Sequence, residues 1–296
     1  MDTGRPGPTF ACRFDIDCVP VQESSDPNHL PNKEGFASRN PGFMHACGHD
    51  AHMSMGLAVA HWIMDNKEKL SGKIKIIFQP AEEGVRGAAG VAASGILDDV
   101  DYFLSSHVAM LAKSGELATN LYGFLCTTKY DVTFHGRASH AGLCPQEGRN
   151  ALAAAANATV QMLGISRHGS GMTRVNIGQL MAGEGRNVIP SKAVMKLEVR
   201  GETMEINNYM CEQVNNICEG ISKSFGVTYD IAKMGEAVDL HSDRELTDLL
   251  NMSGKEVDLK VLDKPLNFGG SEDATILARR VQSHGGKAAF FVWGSD

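Results

Sequence analysis

The chain has 296 residues, of which 43% are hydrophobic and 21% charged, enough for a full buried core and room for two domains. Its net charge of −7 argues against nucleic acid or an anionic membrane as the main partner, and no apolar run has the length of a bilayer span. The seven cysteines are odd in number and irregular in spacing, which reads as reduced thiols in a cytoplasmic protein.

Residues 1–10 are Gly/Pro-rich and carry no apolar core of the kind a signal peptide needs. Phe10, Cys12, Phe14, Ile16 and Cys18 then alternate with Arg13, Asp15 and Asp17, a period-two strand with one apolar face. Two aspartates at its C-terminal end stand where open α/β sheets keep active sites, although a solvated strand face reads the same way. Pro20 ends the strand, and residues 22–41, broken by Pro27, Pro31, Gly35 and Pro41, form a loop.

The next ten residues, Phe43-Met44-His45-Ala46-Cys47-Gly48-His49-Asp50-Ala51-His52, hold three histidines, a cysteine and an aspartate. On a loop Cys47 and His49 can turn toward one point, and a thiolate with an imidazole suits Zn²⁺ or a neighbouring transition metal. Gly48 between them permits positive φ. Asp50 and His52 can orient such ligands, or simply open the following helix; the whole stretch also reads as a histidine-rich helix start.

A helix is predicted over 51–70, with Met53, Leu57, Ala60 and Met64 as its buried face, stopped by Ser71-Gly72. Lys73–Gln79 is a strand, closed by Pro80. Behind it stands Ala81-Glu82-Glu83-Gly84. This is either the acidic first turn of a helix or a working pair, one glutamate holding metal and the other taking a proton from water. A small-residue helix over 85–97 and a strand over 101–107 follow, the strand ending on His107. Between 119 and 226 the pattern becomes strand (130–134), helix (150–163), two strands (174–180, 193–199) and helix (208–225), with Met210, Val214, Ile217 and Ile221 on one face.

Six motifs occur in order along nearly the whole chain: His45-Ala46-Cys47-Gly48-His49-Asp50, Gln79-Pro80-Ala81-Glu82-Glu83-Gly84, Ser106-His107-Val108, Gly136-Arg137-Ala138-Ser139-His140-Ala141-Gly142, Gly185-Arg186-Asn187-Val188-Ile189-Pro190 and Gly270-Ser271-Glu272-Asp273. Together they resemble the metallopeptidase family of aminoacylases, carboxypeptidases and auxin-conjugate amidohydrolases. Thr127-Thr128-Lys129-Tyr130 and Glu147-Gly148-Arg149-Asn150-Ala151-Leu152 are similar to the branch that acts on p-aminobenzoyl-glutamate.

The resemblance implies an α/β catalytic domain, residues 1–118 and 227–296, of the phosphorylase/hydrolase-like kind, with helices on both faces of a central mixed sheet. It also implies an inserted ferredoxin-like α+β lid, residues 119–226, that mediates dimerisation. Two divalent ions, Zn²⁺ or Mn²⁺, would be held by Cys47, His49, Glu83 and His107. Glu82 would be the general base and later the proton donor, with Asp17 orienting a ligand. His140 would stabilise the oxyanion across a dimer interface, while Asn187 and Arg200 would hold a substrate carboxylate. The implied reaction is hydrolysis of an N-acyl or N-aroyl amino acid by metal-activated water. The implied assembly is a homodimer, or a pairing with a second, related chain.

Two family features have no counterpart here: a terminal metal-binding histidine in a loop after the last core strand, and a helix and strand before Phe10. His284 reads instead as the neighbour of a helix C-terminal cap. The chain therefore reads as the middle of a longer protein. The competing reading is a fragment or paralogue that binds metal and dimerises without turnover. A structural zinc protein is disfavoured, because no second Cys-rich knuckle closes a four-ligand site.

Overall fold

The computed structural model describes residues 1–295, apart from the side chain of Met110. The strand expected after Phe10 forms as β1 (Thr9–Asp15), but its polar face is not solvated. Arg13 and Asp15 are fully buried, because β1 lies inside a sheet with neighbours on both sides. The segment expected as loop contains one helical turn, α1 (Leu30–Glu34), with Pro31 in its first turn and Gly35 at φ 79 ending it. Then follow α2 (His49–Asp65), β2 (Lys73–Gln79), α3 (Gly87–Ala93), β3 (Tyr102–Ser114), β4 (Glu116–Ala118) and β5 (Leu121–Tyr122).

The buried face of α2 differs from the one expected. His49, His52, Gly56 and Ile63 face inward, whereas Leu57 and Met64 are exposed. Both stripes have helical spacing; Gly56 decides between them, since a Cβ there would stand 2.6 Å from the Phe78 ring and 2.8 Å from the Phe14 ring. His107 lies within β3 rather than at its end, just before the register with the last strand breaks past Val108.

The second unit, Gly123–Asp239, contains β6 (Cys126–His135), α4 (Ala151–Leu163), β7 (Thr173–Ala182), β8 (Lys192–Gly201), α5 (Met204–Phe225) and β9 (Thr228–Ala237). The chain was expected to leave this unit at 226. Instead β9 pairs antiparallel with β6 and completes a four-stranded sheet in the order β7-β8-β6-β9. The result is β-α-β-β-α-β, the ferredoxin-like order. Inward residues of α4 (Ala151, Ala154, Ala155, Ala158, Met162) and α5 (Met210, Val214, Cys218, Ile221) form its core with Val132, Phe134 and Met195.

The chain then returns to the first unit, Met1–Tyr122 with Leu240–Asp296, as α6 (Arg244–Glu256), β10 (Lys260–Val261), β11 (Leu266–Asn267), α7 (Ala274–Ser283) and β12 (Lys287–Gly294). Its sheet is mixed, in the order β10-β4-β12-β3-β1-β2. The run β12-β3-β1-β2 is parallel, and β4 is antiparallel to β12. Strands β5 and β11 pair separately. No helix among the described residues is long and apolar enough to cross a membrane.

Candidate metal centre

Because β2, β1 and β3 are parallel neighbours, the loops beyond their C-terminal ends meet on one edge of the sheet, where α/β proteins place their sites. The loop beyond β2 is a strained turn. Ala81 has φ 59 and Val85 φ 57, on either side of Glu82, Glu83 and Gly84. Left-handed backbone costs a residue with a Cβ roughly 1–2 kcal/mol, and more when it is β-branched. Asp17 clamps the turn: its carboxylate accepts from the backbone N–H of Glu82 at 2.9 Å and of Glu83 at 3.0 Å.

Hydrogen-bond partners fix the histidine tautomers. His49 Nδ1 donates to the Asp17 carbonyl at 2.9 Å, so Nε2 keeps a lone pair; it is buried and has no hydrogen-bond partner among the described residues. His107 Nδ1 donates to the Val108 carbonyl, and its Nε2 lies 3.7 Å from Cys47 Sγ. His52 differs. The Val108 N–H donates to its Nε2 at 2.8 Å, so the proton sits on Nδ1 and goes to Asp15. Both His52 nitrogens are therefore committed, and His52 acts as scaffold.

Cys47 Sγ, a ring nitrogen of His49 and a carboxylate oxygen of Glu83 all lie within 4.8 Å of one another. Glu83 Oε1 is likewise buried without a hydrogen-bond partner among the described residues. Two orphaned buried acceptors beside a thiol fit a divalent cation, since such groups are otherwise costly to leave unsatisfied. Gly48 makes the convergence feasible. It takes φ 82, and a Cβ there would stand 2.5 Å from Val108 Cγ1. The Cys47 thiol is pushed up to about 12 by desolvation and then by Glu83 and Glu82, and burial lowers the His107 imidazole.

Behind the donors lies an anionic layer built on one buried guanidinium. Arg13 donates to Asp15 at 2.7 Å, to Asp273 at 2.9 Å and to Gln79 at 2.9 Å, and lies 3.1 Å from Glu272. Gln79 and the Ala88 N–H also donate to Asp273, and the Ala274 N–H donates to Glu272. Burial would lower Arg13, but Glu272, Asp15 and Asp273 hold it above its ordinary value. Burial alone would raise Asp15; the His52 bond and Arg13 hold it below the usual carboxylate range. Glu82, buried near Glu272 and Asp273, is pushed up to about 10 by desolvation and then by Glu272. Its Oε2 lies 3.9 Å from His49 Nε2.

Of the residues singled out in the sequence, Cys47, His49, Glu83, His107, Glu82 and Asp17 lie together in the first unit. Asp17 meets His49 through its backbone carbonyl, while its carboxylate holds the glutamate turn; the carboxylate bonded to a histidine ring is Asp15. His140, Asn187 and Arg200 all lie in the second unit. His140 and Asn187 are neighbours there, since His140 bridges to Val188 and the Ala141 N–H donates to the Asn187 carbonyl at 2.9 Å. Arg200 pairs with Glu198 at 2.9 Å. Sequence reasoning assigned no role to Arg13, Gln79, Glu272 or Asp273. The Gly270-Ser271-Glu272-Asp273 motif was the available signal for the last two.

The model of peptidase family M20/M25/M40 matches residues 11–296. A homolog of one of the subunits of p-aminobenzoyl-glutamate hydrolase, from Haemophilus influenzae, is 58% identical over 297 residues, covering 100% of this chain and 70% of its own. An indole-3-acetyl-aspartic acid hydrolase from Enterobacter agglomerans is 44% identical, covering 100% of this chain and 68% of its own. Among solved structures, the aminobenzoyl-glutamate utilization protein from Klebsiella pneumoniae superposes with a TM-score of 0.83 at 38% identity, over 99% of this chain and 68% of that one. The branch of the family read from the segments at 127–130 and 147–152 is the branch of these relatives.

Proposed function

The chain belongs to peptidase family M20/M25/M40, a family of metal-dependent hydrolases, and from that membership we infer that it cleaves the amide bond of an N-acyl or N-aroyl dicarboxylic amino acid. The two named relatives support the substrate class. p-Aminobenzoyl-glutamate and indole-3-acetyl-aspartic acid both join an aromatic acyl group carrying an N–H to an acidic amino acid.

The observation that carries this reading is the donor set: an unpartnered His49 Nε2 and Glu83 Oε1 beside Cys47 Sγ, with His107 Nε2 adjoining. Thiolate and imidazole favour Zn²⁺, with Mn²⁺ as the alternative, and the two ions that the family resemblance implies would be held by Cys47, His49, Glu83 and His107. Such ions supply the positive charge that polarises the scissile carbonyl and acidifies water.

Glu82 does the proton work. With no cation beside it, burial and Glu272 hold its carboxyl up to about 10, so a divalent charge at the adjacent donors would be needed to favour the carboxylate; in that form it would accept a proton from the attacking water and return it to the leaving amine. Asp17 keeps Glu82 and Glu83 pointed correctly by gripping their backbone N–H groups. Asn187 and Arg200 are assigned to a substrate carboxylate and His140 to the oxyanion, on the resemblance. The Haemophilus relative is named for one component of a multi-chain hydrolase, which supports a second, different chain as partner here, alongside self-association. The odd cysteine count supports a cytoplasmic setting.

The test separates the two glutamates. Glu82→Gln should keep metal content and lose about 10²–10⁴ in hydrolysis of p-aminobenzoyl-glutamate. Glu83→Gln should lose metal as well. Equal metal loss in both variants would contradict the division of labour.

A further inference from the structure

The loop between β1 and α2 is closed at its neck, where Val19 and Met44 exchange backbone hydrogen bonds at 3.1 and 3.2 Å. Immediately beyond the neck come His45, Cys47 and His49. Inside the loop is a cavity of about 370 Å³, which shares His45 and Asp50 with the stretch that carries the donors. Long connecting loops are commonly functional, and a cavity of this size admits a small organic group, so the lining rather than the volume decides what enters.

The walls have a definite chemistry. Phe36 and Phe43 leave 63% and 48% of their surface uncovered. Glu23 is anchored, with His29 Nε2 at 3.0 Å from one oxygen and the Ser38 N–H on the other. These bonds hold its carboxyl below the usual range. Each oxygen retains a further acceptor site. Among the described residues no lysine or arginine lines the cavity, whereas two carboxylates, Glu23 and Asp50, do. An acidic amino acid would be repelled there. A neutral aromatic ring bearing an N–H donor would be welcomed, by ring contact with the phenylalanines and a charge-assisted bond to Glu23.

We propose that this cavity is the subsite for the acyl half of the substrate, selecting an aromatic group with an N–H donor. The inference rests on the proposed activity for its substrate, but it can be tested by binding alone. The probes are 4-aminobenzamide, benzamide and acetamide, titrated calorimetrically into the full chain. Affinity should fall in that order. Phe36→Ala and Phe43→Ala should each weaken 4-aminobenzamide roughly three- to tenfold. Glu23→Gln should bring 4-aminobenzamide down to the affinity of benzamide and leave benzamide unchanged. Leu143→Ala, which removes an 81% exposed side chain in the other unit, should change nothing. Tryptophan emission checks that each variant is folded, and Phe→Leu replaces any that is not.

Acetamide binding as tightly as 4-aminobenzamide, or unchanged affinity in both phenylalanine variants, would overturn the subsite. Hydrolysis of p-aminobenzoyl-glutamate without probe binding overturns the subsite and leaves the activity standing. Probe binding by a metal-loaded chain that never hydrolyses does the reverse.

Discussion

Arg13→Met removes the cation from the anionic layer while keeping an apolar stem of similar reach. Asp15 and Asp273 lose a hydrogen-bonded partner at 2.7 and 2.9 Å, Glu272 loses its ion pair at 3.1 Å, and all are buried. Breaking a buried pair from one side costs about 3–5 kcal/mol, a large share of a typical folding free energy. With a urea slope of roughly 2 kcal/mol per M, the midpoint should fall by roughly 1.5–2.5 M. The readout is specific, because both tryptophans, Trp62 and Trp293, lie in the first unit. The titration is run with chelator present, so that bound metal does not offset the loss. Its pH dependence has a defined sign. In the native chain Asp15 lies below its unfolded value, so its contribution is present above that value and lost as pH falls through the folded one. Asp273, held up to about 6 chiefly by burial, instead costs stability above that pH and regains it below. Arg13 lowers both, so in the variant both rise, and protonated carboxyls need no counter-charge. The deficit should therefore shrink from pH 8 to pH 5. Arg13→Lys should fall between, since a point charge cannot serve Asp15, Asp273 and Gln79 together. A deficit below about 1 kcal/mol at pH 8, or one that grows on acidification, would refute the assignment of Arg13 as the keystone of the layer.

Metal uptake should release protons, because the Cys47 thiol sits at about 12 before the ion arrives and must ionise to bind. Zinc affinity should rise with pH by about tenfold per unit for each proton released, and Cys47→Ser should release roughly one proton fewer in weakly buffered calorimetry. Equal proton release by both chains would count against the thiolate as a ligand. Gly48→Ala should cost about 1–2 kcal/mol in backbone strain alone and spread Cys47 from His49 through its clash with Val108. Thermal unfolding and zinc titration should both register it, and a variant normal in both would remove Gly48 from the argument.

Local pattern made some features legible from sequence and tertiary context hid the rest. The helices of the second unit were readable because each has one apolar stripe; α4, read over 150–163, forms as Ala151–Leu163 with its alanines inward. The choice of Cys47, His49, Glu83 and His107 as a set came from the family resemblance, since spacing alone singled out only Cys47 and His49 and left Glu83 open to reading as a helix start; the fold brings all four into the first unit. Asp15 reads in sequence as a site residue with a solvated face as the alternative, and it lies against His49 and His52; the role of Arg13 was hidden, since alternating charge on a strand looks the same whether it faces water or a buried counter-charge. The face of α2 misled because two stripes share one period and only the rings beneath Gly56 choose between them. Strand β9 was missed because Thr228–Ala237 alternates weakly and is largely exposed on one side.

The buried guanidinium also bears on the order of events during synthesis. Cys47, His49, Glu83 and His107, with strands β1, β2 and β3, all lie within the first 114 residues, so this part of the site can gather as soon as β3 emerges from the ribosome. Arg13 must wait for Asp273, 260 residues later. Until then it has Asp15 and Gln79 but lacks two of its acidic partners. We predict that the donor loops become protected before the base of the sheet does. Pulse-labelled hydrogen exchange during refolding would test this, with amides near Asp17 and Glu83 closing before that of Ala88. Simultaneous protection would mean instead that donors and base form as one cooperative step, leaving no interval in which a nascent chain could take up metal on an unfinished foundation.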